Sequence, residues 1–278
     1  MKTKQIDFSK YSSFKLGGTF EVALLEDDFS EIEHYYLIGS CNNTLIGNNP
    51  PPLMMLDKKY DFIRLEENIL SIGGATPSGK IASFCKKHNL ANFEFLSHLP
   101  GKLGGLVYMN AGLKEYEIFD KLLSVRTTEG TKERDAISYG YRYTDITKPI
   151  LEASFQLEYG YSQERLMLFK KMRHNQPSTP SAGSCFKNPQ GDYAGRLIEA
   201  VGLKGVMQGA LSFSKEHANF LVNSGGGVFE DAIILIQEAQ KRVYEAFGIW
   251  LECEIIILER LYLTQASPLL NPANAGLV

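Results

Sequence analysis

The 278-residue chain has one tryptophan, four cysteines and five histidines, and each scarcity excludes something. Cys41, Cys85, Cys185 and Cys253 are scattered, with no C-x-x-C pair and no histidine at metal-ligand spacing. This argues against a disulfide framework and against a metal site, and fits reduced thiols in a cytoplasmic protein. No apolar run approaches the roughly 18 residues of a membrane helix. Residues 1–10 are polar and lack a signal-peptide core. Basic runs are also missing: 29 Lys and Arg against 32 Asp and Glu leave a net charge of -3. Neither nucleic acid nor a membrane is an expected partner. There is no Gly-x-Ser-x-Gly elbow, which argues against an acyl-enzyme serine. No internal repeat is evident. The chain is 44% hydrophobic and 22% charged, the composition of a globular protein with one large domain or two to three small ones.

Glycine, by contrast, is concentrated. Between Pro100 and Gly112 lie Gly101, Gly104 and Gly105, followed by Asn110 and Ala111. Two readings of this stretch stand. Bare backbone N–H groups beside a rigid element suit a phosphate or the polar edge of a large planar cofactor. The alternative is a glycine-rich turn between two strands. The spacing is not the dinucleotide fingerprint.

Hydrophobic periodicity organises the remainder. Residues 20–25 and 43–47 are expected as strands around a helix that starts at Asp27-Asp28 and turns Phe29, Ile32 and Tyr36 inward, a small βαβ unit. Its second strand runs into Gly47-Asn48-Asn49-Pro50-Pro51-Pro52, a rigid polar loop. Residues 61–65 and 68–72 predict short strands ending at Gly73-Gly74-Ala75, and 77–88 a helix with proline in its first turn. Strands are expected at 121–128 and 149–158; in the latter Leu151, Ala153, Phe155 and Leu157 alternate with polar residues. Residues 163–173 predict a helix with a basic C-terminal end. Helices at 193–201 and 229–247 are stopped by Gly202 and Gly248. A strand is expected at 250–258, and a loosely held tail at 263–278.

Three clusters could carry chemistry. Arg142 stands among Tyr139, Tyr141 and Tyr143. It is either a guanidinium kept for a carboxylate or phosphate, or an arginine snorkelling over a surface patch. Ser184 sits among small residues, with Lys187 and Asn188 placed to meet an anion; a structural turn is the alternative. Strand alternation puts Glu252 and Glu254 on one face, as paired acids facing a pocket or as a solvated edge.

Taken in order, the motifs resemble a known family. They are Tyr11-Ser12-Ser13-Phe14-Lys15-Leu16-Gly17-Gly18; Leu99-Pro100-Gly101-Lys102-Leu103-Gly104-Gly105 with Met109-Asn110-Ala111-Gly112; Tyr141-Arg142; Ala182-Gly183-Ser184 with Phe186-Lys187-Asn188-Pro189; Ala194-Gly195-Arg196-Leu197-Ile198 with Gly202-Leu203-Lys204-Gly205; Ser214-Lys215-Glu216-His217-Ala218-Asn219-Phe220; and Leu251-Glu252-Cys253-Glu254. The whole resembles the bacterial UDP-N-acetylenolpyruvoylglucosamine reductases, the MurB-type flavoenzymes. The Ser-x-x-His-Ala-x-Phe pattern is similar to the shorter branch, which lacks a tyrosine-bearing substrate loop.

The resemblance implies an α+β protein with a FAD-binding fold of the vanillyl-alcohol-oxidase/PCMH type in two subdomains, 1–55 and 56–160. A C-terminal α+β substrate domain, 161–262, would follow. It implies non-covalent FAD, NADPH as co-substrate, a monomer, and reduction of UDP-N-acetylglucosamine enolpyruvate to UDP-N-acetylmuramate for peptidoglycan. Implied catalytic residues are Arg142, Ser184 and Glu254, with Ser184 as proton donor. Implied cofactor contacts are Gly47, Asn48, Asn49, Gly73, Gly74, Ala75, Pro100, Gly101, Gly104, Gly105, Asn110, Ala111 and Gly112. Implied substrate contacts are Tyr141, Lys187, Asn188 and His217. The chain departs from the family at Gly47-Asn48-Asn49-Pro50-Pro51, where glycines followed by Ser-Asn are usual. It departs again at Lys102, where threonine is usual, and at Asn175, near a usual basic residue. Prolines donate no N–H, so the cofactor is expected to lean more on residues 99–112.

Overall fold

The structure, a computed structural model, describes residues 1–263; the expected tail from Thr264 onward lies outside the described residues. Contacts divide the chain into two compact units. Unit one is Met1–Lys4, Ala23–Gly39 and Leu53–His174; unit two is Gln5–Val22, Ser40–Pro52 and Asn175–Val278. By contact, the helix that follows residue 161 belongs to unit one.

Unit one is built on a five-stranded antiparallel sheet in the order Gly130–Glu133, Leu122–Thr127, Ile150–Gln156, Ile69–Gly73, Ile63–Glu66. The alternation read in the central strand is real. Ala153 and Phe155 enter the core, while Glu152 faces out and pairs with Arg64 and Arg126. Helix α1 (Ser78–Lys87) buries Ile81, Ala82 and Cys85 against this sheet. Pro77 is its N-cap, one position outside the expected place. Helix α2 (Leu103–Tyr108) buries Leu103, Leu106 and Val107, and helix α3 (Gln163–Met172) buries Phe169. Also within unit one, Tyr36–Leu37 pairs in parallel with Leu53–Leu56.

Unit two has a four-stranded antiparallel sheet, Ser181–Ser184, Phe220–Asn223, Leu211–Phe213, Met207–Gln208. Helix α4 (Ala194–Ala200) and helix α5 (Phe229–Phe247) share one core with it. On α5 the predicted face Ala232, Leu235, Ile236, Ala239 and Val243 is fully inward. Gly248 ends α5 in the left-handed region at φ 66, where glycine has no Cβ penalty.

Three expectations fail, each for a physical reason. The segment after Asp27-Asp28 forms only a 3-10 turn, Ile32–His34, because its Phe29, Ile32 and Tyr36 spacing is filled in with exposed Glu31, Glu33 and His34. Asp28 caps a local turn, accepting from the Ser30 N–H and hydroxyl. The expected βαβ unit does not form: Thr44–Ile46 pairs in parallel with Ile256–Leu258 instead. The strand expected at 250–258 shrinks to Ile256–Leu258, and 250–255 is irregular apart from a bridge between Phe186 and Cys253.

One buried ion pair ties α3 into unit one. Glu94, with a side chain 1% exposed, lies 3.0 Å from the Arg165 guanidinium and accepts the Ser162 N–H at 2.8 Å. Removing one partner of a buried pair strands the other charge. Glu94→Ala is expected to cost about 3 kcal/mol, seen as a lower urea midpoint at unchanged slope. A cost under about 1 kcal/mol would show the pair to be an ordinary surface bridge.

Candidate active site

In unit one the glycine-rich stretch is not a turn between strands. Residues 103–108 form α2, and its first two N–H groups are not bare. Leu103 and Gly104 donate to the Thr76 and Gly74 carbonyls, both at 2.9 Å, and Ala111 donates to Leu106 at 2.8 Å. The Ser78 N–H reaches the Gly101 carbonyl at 2.9 Å. These bonds lay 101–104 alongside 73–76. Gly73, Gly74 and Ala75 likewise spend their N–H groups on Phe62, Leu151 and Tyr60 carbonyls. A Cβ on Gly73 or Gly74 would collide with the Tyr60 or Ile150 carbonyl, and one on Gly112 with that of Tyr116. These glycines therefore serve backbone packing. Gly105 is different: it is exposed, and nothing lies within 4 Å of where its Cβ would be. Pro100 is exposed just before Gly101, whose φ is 156.

Asn110 joins this stretch to the arginine cluster. It is buried, with φ 43, and its amide nitrogen donates to Glu117 at 2.7 Å and to the Gly140 carbonyl at 3.1 Å. Its Oδ1 is buried with no partner among the described residues. Tyr141 and Arg142 form the two-residue turn of a hairpin between Tyr139–Gly140 and Tyr143–Thr144. Arg142 takes φ 54, donates to the Gly112 carbonyl at 3.1 Å and lies over the Tyr141 ring at 5.1 Å. Unit one thus brings Arg142 and Tyr141 to residues 110–112. Arg173, read from the sequence only as a basic helix end, is half-buried. Burial, and then the charge of Arg142, lower its pKa below the ordinary arginine value. Elsewhere in unit one, a cavity of about 550 Å³ lined by Ser83, Lys86, Ser97, His98, Tyr161 and Lys170 contains none of the expected site residues.

In unit two, Ser184 ends the strand Ser181–Ser184, with Gly183 at φ 79 before it. The Glu254 N–H donates to the Cys185 carbonyl at 2.9 Å, and the Lys187 N–H to the Glu252 carbonyl at 2.9 Å. Ser184 and Glu254 therefore lie on adjoining segments. Asn219 pins the same place, accepting the Phe186 N–H at 2.9 Å and donating to the Phe186 carbonyl at 2.8 Å. Sequence reasoning missed Asn219 as a positioning residue, although it stands inside the quoted motif. The acids do not act as a pair. Glu252 is 70% exposed and bridges Lys187 at 2.5 Å, whereas Glu254 is half-buried. Asn188 Oδ1 accepts the Ala194 N–H at 3.1 Å, at the start of α4. Burial lowers the pKa of His217, which keeps it neutral at pH 7. Its Nδ1 accepts the Asn219 N–H at 3.3 Å, which puts the ring proton on Nε2. Burial pushes the Cys253 thiol up to about 12 and Cys185 well above its ordinary value, so neither is a nucleophile at neutral pH.

A family profile for the C-terminal domain of UDP-N-acetylenolpyruvoylglucosamine reductase matches residues 175–258. The chain is 47% identical to the reductase of that name from Helicobacter hepaticus, over 93% of this chain and 100% of the relative. It is 46% identical to that from Campylobacter jejuni, over 91% and 99%. The chain belongs to the UDP-N-acetylenolpyruvoylglucosamine reductase family. A crystal structure of the family from Thermus caldophilus superposes with a TM-score of 0.81 at 26% identity, covering 93% of this chain and 100% of that one. The reductase fold expected from the sequence, α+β with a C-terminal domain, is therefore the fold present. Among the described residues no helix is long and apolar enough to cross a membrane.

The two kinds of glycine in this reductase fold should separate by stability alone. Gly74→Ala forces a Cβ onto a backbone carbonyl and is expected to lower the thermal midpoint sharply or prevent soluble expression. Gly105→Ala, in an exposed helical position with open space, should leave the midpoint unchanged or raise it, since alanine is favoured in helices by about 1 kcal/mol. Equal midpoints for the two variants would contradict the packing role of Gly74.

Proposed function

We propose that the chain is a FAD-dependent, NADPH-using reductase that converts UDP-N-acetylglucosamine enolpyruvate to UDP-N-acetylmuramate in the cytoplasm. The observation that carries the reading is the Glu254-to-Cys185 hydrogen bond, which keeps Ser184 beside Glu254 in a chain 47% identical to a named reductase. The open face of Gly105 and the unpartnered Asn110 Oδ1 suit a bound flavin, with Pro100, Gly101 and Ala111 around them. In terms of role, 1–55 and 56–160 serve the cofactor, and 161–262 the substrate.

FAD, once bound, supplies the hydride that NADPH provides. The protein's own task is to hold the enolpyruvyl ether and manage charge and proton. Arg142, held on a turn by its bond to Gly112, offers a planar fork for the substrate carboxylate. As hydride adds to the terminal carbon, negative charge grows on the carbon beside that carboxylate. A guanidinium aimed at developing charge stabilises it. Ser184 then gives its hydroxyl proton to that carbon. Serine is a weak acid, but a carbanion is a strong base. The neighbouring cysteines are neutral thiols and do not compete as bases. Glu254 must be neutral at that moment, because a second anion would oppose the charge build-up. Neutral His217, with its proton on Nε2, and Tyr141 are assigned to substrate contacts. Lys187 and Asn188, already engaged with Glu252 and Ala194, contribute by holding in place the segment that follows Ser184.

Purified protein should be yellow, and acid denaturation should release all the colour into the supernatant; colour retained in the precipitate would mean a covalent flavin. Ser184→Ala should slow substrate-dependent NADPH oxidation by about 10²-fold or more with KM little changed, the scale of a lost proton donor. A rise in KM at unchanged kcat would instead make Ser184 a binding residue. Glu254→Gln should retain far more activity than Glu254→Ala, since the amide keeps a donor; Glu252→Ala serves as the control. Equal losses in the two Glu254 variants would rule out the neutral-donor role.

A further inference from the structure

Arg173 is a charge that the packing of unit one does not account for. It is the C-cap residue of α3, and its N–H donates to the Phe169 carbonyl at 3.3 Å. Its side chain is half-buried, yet makes no hydrogen bond or ion pair among the described residues. None of its nitrogens is sealed from solvent, so a ligand can reach them. A chain of contacts ties it to the arginine hairpin. Arg142 donates to the Gly112 carbonyl, and Gly112–Leu113 pairs with Tyr116–Glu117. The Tyr116 ring meets Phe169 edge-on, with centroids 4.9 Å apart, and Phe169 lies one helical turn before Arg173. The two guanidiniums are close enough for the charge of Arg142 to lower the pKa of Arg173. Burial, and then the charges of Arg173 and Lys170, lower the pKa of His98 in turn.

Helix capping does not explain this placement. A cation at a helix C-terminus is favoured by the dipole. Exposed Lys170 and Lys171 already stand in the last turn of α3, where they keep their water. A charge drawn out of water without a partner is costly. A like charge beside it raises the cost. An anion bound at Arg173 offsets both. We propose that Arg173 is an anion-binding residue of the active site, paired with Arg142, and that it receives a phosphate of a nucleotide substrate. This rests on the reductase reading above, in which Arg142 takes the enolpyruvyl carboxylate. The remaining anionic groups on the two substrates of that reaction are phosphates: a diphosphate on the UDP-sugar, and the phosphates of NADPH. The planar fork of a guanidinium matches two oxygens of either.

The test uses the FAD-loaded full chain with Arg173→Gln and Arg173→Lys, and reads kcat, the KM of each substrate and thermal melts. Arg173→Gln should raise at least one KM by about tenfold or more, with kcat within about twofold. Arg173→Lys keeps the charge and should lie closer to the unsubstituted protein. A higher KM for the UDP-sugar assigns the phosphate to that substrate, and a higher KM for NADPH assigns it to the reductant. Unchanged KM for both, or a loss confined to kcat, would overturn the proposal. So would FAD binding weakened by about tenfold, because Arg173 would then hold the cofactor. The melts do not depend on turnover. UDP or NADP+ should raise the midpoint of the unsubstituted protein and raise that of Arg173→Gln less; equal shifts would remove the phosphate role. Without nucleotide, Arg173→Gln should melt at or above the unsubstituted midpoint, since an unpaired charge is gone. A fall of about 4 °C or more would make Arg173 a structural residue. If the unsubstituted protein has no reductase activity, the reductase reading fails, while the melts still decide whether Arg173 binds phosphate.

Discussion

The hydrogen bond from the Glu254 N–H to the Cys185 carbonyl fixes the backbone around Ser184 and Glu254 in unit two, because the segment that bears Glu254 has almost no strand of its own. Residues 250–255 would leave N–H and carbonyl groups unpaired, which is costly wherever water is excluded. The segment 184–187 pairs them: Cys185 accepts from Glu254, and Glu252 accepts from Lys187. Asn219 closes the arrangement from the third side, bonding both backbone groups of Phe186 in the buried core. The backbone at Ser184 and Glu254 is thus positioned by these hydrogen bonds. A site built in this way tolerates little backbone movement.

Unit one uses another device. Its glycines bring chain segments to backbone contact, with Gly73 and Gly74 under the carbonyls of Tyr60 and Ile150 and Gly104 beside Gly74. Close approach fixes the path of 101–112, and Asn110 then ties that path to the hairpin that carries Arg142. Arg142 at φ 54 is a residue held in an uncommon backbone region at the tip of a turn. Such positions persist where the surroundings over-determine them. Here those surroundings include the bond to Gly112 and the packing over Tyr141.

The long periodic segments were legible. Helix α5 has its predicted bounds and its predicted buried face, α1 and α4 are one residue shorter than expected at each end, and α3 is one residue shorter at its C-terminus. In these segments the apolar spacing alone names the face that packs. Short segments were not legible. Residues 29–36 carry three apolar positions at helical spacing, but too few to outweigh exposed acids, and they become a 3-10 turn. Residues 250–258 alternate like a strand, but only the last three find a partner, and that partner is Thr44–Ile46, far back in the chain. In the glycine-rich stretch the N–H groups of Leu103, Gly104 and Ala111 are spent on carbonyls, which residue spacing does not reveal.

The sequence by itself determined the family, the long helices with their inward faces, the central strand of unit one, and the residues around which chemistry could be argued. It could do so because local periodicity and ordered motifs are written in adjacent residues. Only the tertiary structure decided which glycines pack and which face open space, that Glu252 bridges Lys187 while Glu254 turns inward, that Asn219 is the pin, and that Glu259 accepts the Asn49 N–H. Each of these depends on a hydrogen-bond partner or a steric neighbour tens to hundreds of residues away. Pairing at that range is set by which backbone and side-chain groups are left unsatisfied once the cores have closed, and local spacing carries no record of it.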